Sequence, residues 1–154
     1  MIIKELTPKP EIDINIKLKE AFSQFEKLLA ELRKRDLPDS LVESINQDIE
    51  ELNSTSVSGD ELRKMLKIKQ TGIIKLLEKE LKLVPKNYYR NLWLAVGIAA
   101  FGLPLGVVFG ASFGNMAFLG IGLPLGMAIG IGVGTRMDKK ALEDGRQLDI
   151  ELKA

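Results

Sequence analysis

The chain has neither cysteine nor histidine. Their absence excludes thiol nucleophiles, disulfides, Cys/His zinc sites, histidine-ligated haem and the side chain that most often acts as general base near neutral pH. A strong charge of either sign is also missing. The 22 basic and 21 acidic residues leave +1, without the basic footprint of a nucleic-acid-binding surface. The opening MIIKELTPKPEIDIN has no apolar leader with a small-residue cleavage site. The most informative absence is local. Residues 91–135 contain no Asp, Glu, Lys or Arg, whereas residues 1–90 hold 17 basic and 16 acidic groups, and residues 136–154 hold five of each. About 20 apolar residues suffice to cross a bilayer, so a simple soluble globular protein is excluded.

The uncharged run divides into two expected spans, about 91–110 and 116–135, joined by the turn ASFGN at 111–115. So short a turn makes the spans antiparallel neighbours. Lys86, Tyr88, Tyr89, Arg90 and Trp93 precede the first span, and Arg136, Lys139 and Lys140 follow the second. Aromatic rings and long basic side chains suit the headgroup zone, so these residues are expected interface anchors. With both flanks basic and the turn uncharged, the positive-inside rule predicts cytoplasmic termini. No ionisable group lies inside either span, which excludes a proton relay, a voltage sensor or a charged selectivity ring.

What fills the spans is glycine, 11 of the chain's 14. Gly102, Gly106, Gly110 and Gly114 are spaced by four, and so are Gly122, Gly126, Gly130 and Gly134. GLPLG occurs twice, at 102–106 and 122–126. Residues four apart share a helix face, and glycine lets helix backbones approach closely in lipid. The ladders can serve one span against the other within a molecule, or helices of different molecules. Pro104 and Pro124 are expected kinks near mid-membrane, roughly 14–16 Å from the turn. Each removes one helix hydrogen bond, which leaves the carbonyls of Ala100 and Gly120 needing another partner.

Residues 1–85 predict a cytoplasmic antiparallel helical hairpin or three-helix domain. Leu18, Phe22, Phe25, Leu29 and Leu32 make one helix face; a helix is expected from about residue 17 to 35. Residues 11–16 alternate in strand fashion and stay open between strand and helix. Val42, Ile45, Ile49 and Leu52 form a second stripe, with Ser40 and Glu43 at capping-box spacing. Leu62, Leu66, Ile73, Leu76, Leu77 and Leu81 form a third over 59–84, opened by Ser58 and Glu61 and closed at Pro85. In the tail, 136–154, a helix to Asp144 is expected to stop at Gly145. Leu148, Ile150 and Leu152 then alternate, and could pair with 12–18 as two short strands. The acidic pairs Glu50/Glu51 and Glu78/Glu80 read as solvated charge, and there is no phosphate-binding glycine loop. No metal site, cofactor or catalytic residue is expected.

GLPLGVVFGASFG, GLPLGMAIGIGVG and the following TRMDKKALEDGRQLDI resemble the small bacterial glycine-zipper membrane proteins over about residues 97–150. The resemblance implies membrane residence and oligomer-capable helices. The resulting expectation is an all-α membrane protein, with a cytoplasmic helical domain at 1–85, a transmembrane hairpin at 86–135 and a cytoplasmic tail, in the bacterial inner membrane. It would be non-enzymatic and homo-oligomeric, assembled through its glycines, and could form a pore gated by the cytoplasmic helices. The alternative is an accessory or immunity-type protein whose helices bind a cytoplasmic protein, with the hairpin as anchor.

Overall fold

The computed structural model describes residues 2–152, apart from the side chains of Glu11, Asp13 and Met116. The expected tail is therefore followed only to Leu152; Lys153 and Ala154 lie outside the described residues. The fold is all-helical, with no strand among the described residues. It divides into two compact units. One comprises the residues up to Leu83 with those from Leu148 onward, and the other runs from Val84 to Gln147.

The first unit holds α1 (Ile16–Leu32), α2 (Asp39–Ser54) and α3 (Gly59–Leu81). Asn15 starts α1, because its side-chain oxygen accepts the N–H groups of Lys17 and Leu18 at 3.1 and 3.2 Å. The apolar stripes of all three helices meet in one core, with Phe25, Leu28, Ile45, Ile49 and Ile73 essentially inaccessible. α2 starts earlier than its capping-box spacing predicts. The Pro38 carbonyl already accepts from Leu41 and Val42, so Ser40 sits inside the first turn and does not cap. Ser58 does precede α3, but its side chain makes no capping bond. α3 ends at Leu81, short of Pro85. Lys82 takes a left-handed conformation (φ 53°), and the N–H of Leu83 reaches back to the Leu77 carbonyl, a Schellman closure.

The expected strand pair does not form. Residues 10–13 make a 3-10 turn and Ile16 is already helical. An extended N-terminal segment instead lies against α2, held by two asparagines seven residues apart. Asn46 accepts from the Lys4 N–H (2.7 Å) and donates to the Ile2 carbonyl (3.0 Å). Asn53 does the same for Thr7 (2.8 Å) and Glu5 (3.1 Å). These amides imitate a β-ladder without a second strand, and let Ile3 and Leu6 enter the core. At the other end Leu148 is fully buried in the same core, a contribution of about 1.5–3 kcal/mol.

The second unit is a helical hairpin. α4 (Tyr88–Gly97), a single π-turn (Ile98–Gly102) and α5 (Leu103–Ser112) run on as one apolar rod of 25 residues. A tight turn and a 3-10 segment (Met116–Phe118) lead to α6 (Leu119–Glu143), also 25 residues. Both rods are long and apolar enough to cross a membrane. The helices overrun the expected 91–110 and 116–135 at their outer ends. α6 continues through Arg136–Lys140 because the base of the hairpin is itself packed: Val84, Tyr89 and Ala141 form a small core there. The Val84 N–H donates to the Arg146 carbonyl (3.0 Å), and Gly145 (φ 69°) makes the reversal.

Candidate functional site: the glycine seam and its cap

From Arg90 and Gly134 to Gly106 and Leu119, the closest backbone approaches of the two rods are made at glycine. A β-carbon on Gly126 would lie 2.6 Å from the Gly102 Cα, one on Gly106 2.8 Å from the Leu119 carbonyl oxygen, and one on Gly134 2.5 Å from the Arg90 Cα. Gly122 meets the backbone of Gly102 and Gly106, and Gly130 that of Trp93. Gly102 is slightly looser, at 3.3 Å from the Gly122 oxygen. Real β-carbons essentially never come within 3.0 Å of such atoms, so most of these positions exclude even alanine. Gly110 is buried with them. The two ladders thus face each other inside one chain.

Gly114 is a correction. It occupies the turn at φ +64° with nothing within 4 Å of its would-be β-carbon, so its role is conformational and not helix packing. The seam residue the four-residue spacing misses is Gly97, whose β-carbon would stand 2.8 Å from the Gly130 Cα. Gly97 precedes Gly102 by five residues. The π-turn absorbs the extra one, with the Leu103 N–H donating to the Ile98 carbonyl five residues back. In an uninterrupted α-helix Ile98 would take the place of Gly97 on the seam face, and its side chain does not fit. Pro104 lies two residues beyond the π-turn, where its missing N–H already breaks the four-residue ladder. Glycine five residues before another glycine, just ahead of a mid-helix proline, was the available signal. Pro104 and Pro124 are both exposed, outside the seam, and α6 runs through Pro124 without interruption.

At the base of the seam stands a residue absent from the expected set. Asp138 is buried and accepts from the N–H groups of Tyr89 (3.0 Å) and Arg90 (2.9 Å), one on each carboxylate oxygen. Both N–H groups belong to the first turn of α4, which has no intrahelical acceptor for them, and the preceding Asn87 makes no side-chain capping bond. α6 therefore caps α4 across the hairpin, and the carboxylate faces the positive end of the α4 dipole. One acid among Arg136, Lys139 and Lys140 was the visible trace of this. Tyr89 is a correction to the interface anchors: it is buried against Val84 and Ala141, because it lies on the side of α4 that meets α6. Tyr88 touches it edge-on at 5.2 Å, and Trp93 is half-buried beside the same core. Lys86, Arg90, Arg136, Lys139 and Lys140 are exposed.

The acidic pairs Glu50/Glu51 and Glu78/Glu80 are engaged in ion pairs with lysines. Asp48, at 2.8 Å, and then Glu51 hydrogen-bond Lys69 and, against the opposing effect of burial, keep its ammonium above the usual lysine range. Glu50 pairs with Lys4, Glu78 with Lys82 and Glu80 with Lys79. Among the described residues no group of three candidate metal ligands converges. An open groove of about 570 Å³ lies between α1 and residues 149–152, lined by Lys19, Glu20, Lys27 and Glu151. No protein-family model, curated protein or solved structure matches the chain.

Proposed function

We propose that this chain is a non-enzymatic integral membrane protein of the bacterial inner membrane, whose two-span hairpin anchors a cytoplasmic helical unit that binds a protein partner. The observation that carries this reading is the glycine seam. Apolar side chains do not drive helices together in lipid, whereas close backbone contact does, and here it is spent within one hairpin. The hairpin's outer surface carries Leu103, Val107, Val108, Ile121, Leu125 and Ile129, all exposed, as a lipid-facing surface should. Basic flanks at both ends and an uncharged turn support cytoplasmic termini. The resemblance to glycine-zipper membrane proteins points the same way.

A second reading, homo-oligomeric assembly with or without a pore, has its own observation. Gly120, Pro124, Ala128 and Gly132 repeat at four-residue spacing on the exposed side of α6, and a β-carbon on Gly120 or Gly132 would meet nothing within 4 Å. The experiment that separates the readings replaces 91–135 with an unrelated two-span anchor. In-cell cross-linking should then give the same cytoplasmic partner from native and chimeric chains. Loss of that cross-link from a folded, inserted chimera would overturn the anchor reading in favour of assembly.

A further inference from the structure

Charge in the first unit is sorted by helix. α2 carries Asp39, Glu43, Asp48, Glu50 and Glu51 and no basic residue. From Leu62 to Leu77, α3 carries Arg63, Lys64, Lys67, Lys69 and Lys75 and no acid. Two of these cations are engaged, Lys69 by α2 and Arg63 by Asp60 at 3.2 Å. The others point elsewhere. Leu62, Leu66, Gln70, Ile73 and Leu77 fill the core side of α3. Lys64, Ile68, Thr71, Lys75 and Lys79 therefore share the opposite face, at spacings of four, three, four and four. All five are exposed, and Ile68 is 69% accessible although it is a large apolar residue.

Among the described residues Lys64, Lys67 and Lys75 make no ion pair. Glu61 stands at the N-terminal end of the face, and Glu78, paired with Lys82, flanks its C-terminal end three residues beyond Lys75; Lys79 pairs with Glu80 at 3.7 Å, and from Leu62 to Leu77 every charge is basic. Glycine at position 72 adds no side chain to the surface, which stays flat around Ile68. The same sign continues along the chain through Lys82, Lys86 and Arg90 to the apolar rod.

We infer that this face of α3 docks on the anionic lipid surface of the membrane that holds the hairpin, with lysine ammoniums at the headgroups and Ile68 at the headgroup–acyl boundary. The inference rests on the membrane reading above. Lysines that have no protein counter-ion are drawn to the negative cytoplasmic leaflet, and their aliphatic stems can lie along an apolar boundary while the ammonium stays wet. An exposed apolar residue set between Lys64 and Lys75 suits a lipid surface. The acidic α2 face is repelled by the same surface, so the unit docks by one side.

The test uses the whole chain in nanodiscs. Since the protein has no cysteine, Ile68→Cys accepts a single fluorophore, and Gln47→Cys on α2 serves as the control. Quenching of the position-68 probe by neutral acrylamide should fall about threefold from zwitterionic to partly anionic discs, and recover in 0.5 M salt, where screening is about 4 Å. Lys64→Gln with Lys75→Gln should abolish the protection, and the position-47 probe should not respond. Equal quenching of the position-68 probe in both lipids, with the chain in the disc, overturns the docking alone. Failure of the chain to elute with discs overturns the membrane reading itself. Protection in both lipids with two chains per disc, or only after adding cytosol, assigns the face to a second copy or a protein and also overturns the proposal.

Discussion

Glu31 holds down a chain end by chemistry that its position on α1 does not advertise. It is buried, accepts from Lys34 at 2.9 Å and takes the Asp149 N–H at 3.2 Å. The Lys34 hydrogen bond keeps its carboxyl below the usual range, against the opposing effect of burial, with the Asp149 bond and the charges of Lys34 and Arg35 adding to it. A depressed carboxyl stabilises the fold at all pH above its unfolded value, about 4.3, and the gain is lost as pH falls from there through the folded value. Glu31→Gln should cost about 1–2 kcal/mol at neutral pH. The difference in urea midpoint between native and variant chains should shrink as pH falls from 5 to 3. A constant difference would mean that Glu31 acts by packing alone.

At the scale of elements, the π-turn decides which glycines meet. It brings Gly97 and Gly102, five residues apart, to one face opposite Gly126 and Gly130. Deleting Ala100 turns that spacing into four, so a plain α-helix would serve the same seam once Pro104→Ala restores the missing donor. The doubly altered chain should melt within a few degrees of the native one in the same detergent, by circular dichroism. Deleting Val107 instead moves Gly106 and every earlier seam residue out of register with Gly110, and should lower the midpoint far more. Equal losses from the two deletions would show that the π-turn does not set the register.

For the whole molecule, closure of the glycines within one hairpin makes a testable statement about stoichiometry. The protein mass in mild detergent, repeated in a second detergent, should correspond to one chain of 17.1 kDa. A stable higher mass would move weight to the exposed stripe at Gly120, Ala128 and Gly132, and would make conductance the next measurement.

Much of this architecture was legible along the chain. The uncharged run located the two apolar rods. The three-four spacing of Leu18, Phe22, Phe25, Leu29 and Leu32 marked an inward face, and the same was true of α2, because helical periodicity is a property of neighbours in sequence. The four-residue glycine spacing likewise marked a face, but not what that face would meet. Only the tertiary structure decided that the ladders close on each other, that Gly97 joins them and that Gly114 turns the chain instead. It also decided that Asp138 caps a helix 48 residues away, that Asn46 and Asn53 stand in for a strand, and that Leu148 completes the first core. A local pattern fixes which side of a helix is small or apolar. Which surface covers it is set by contacts between residues distant in sequence, where backbone approach, buried hydrogen-bond demand and chain reversal must be satisfied together.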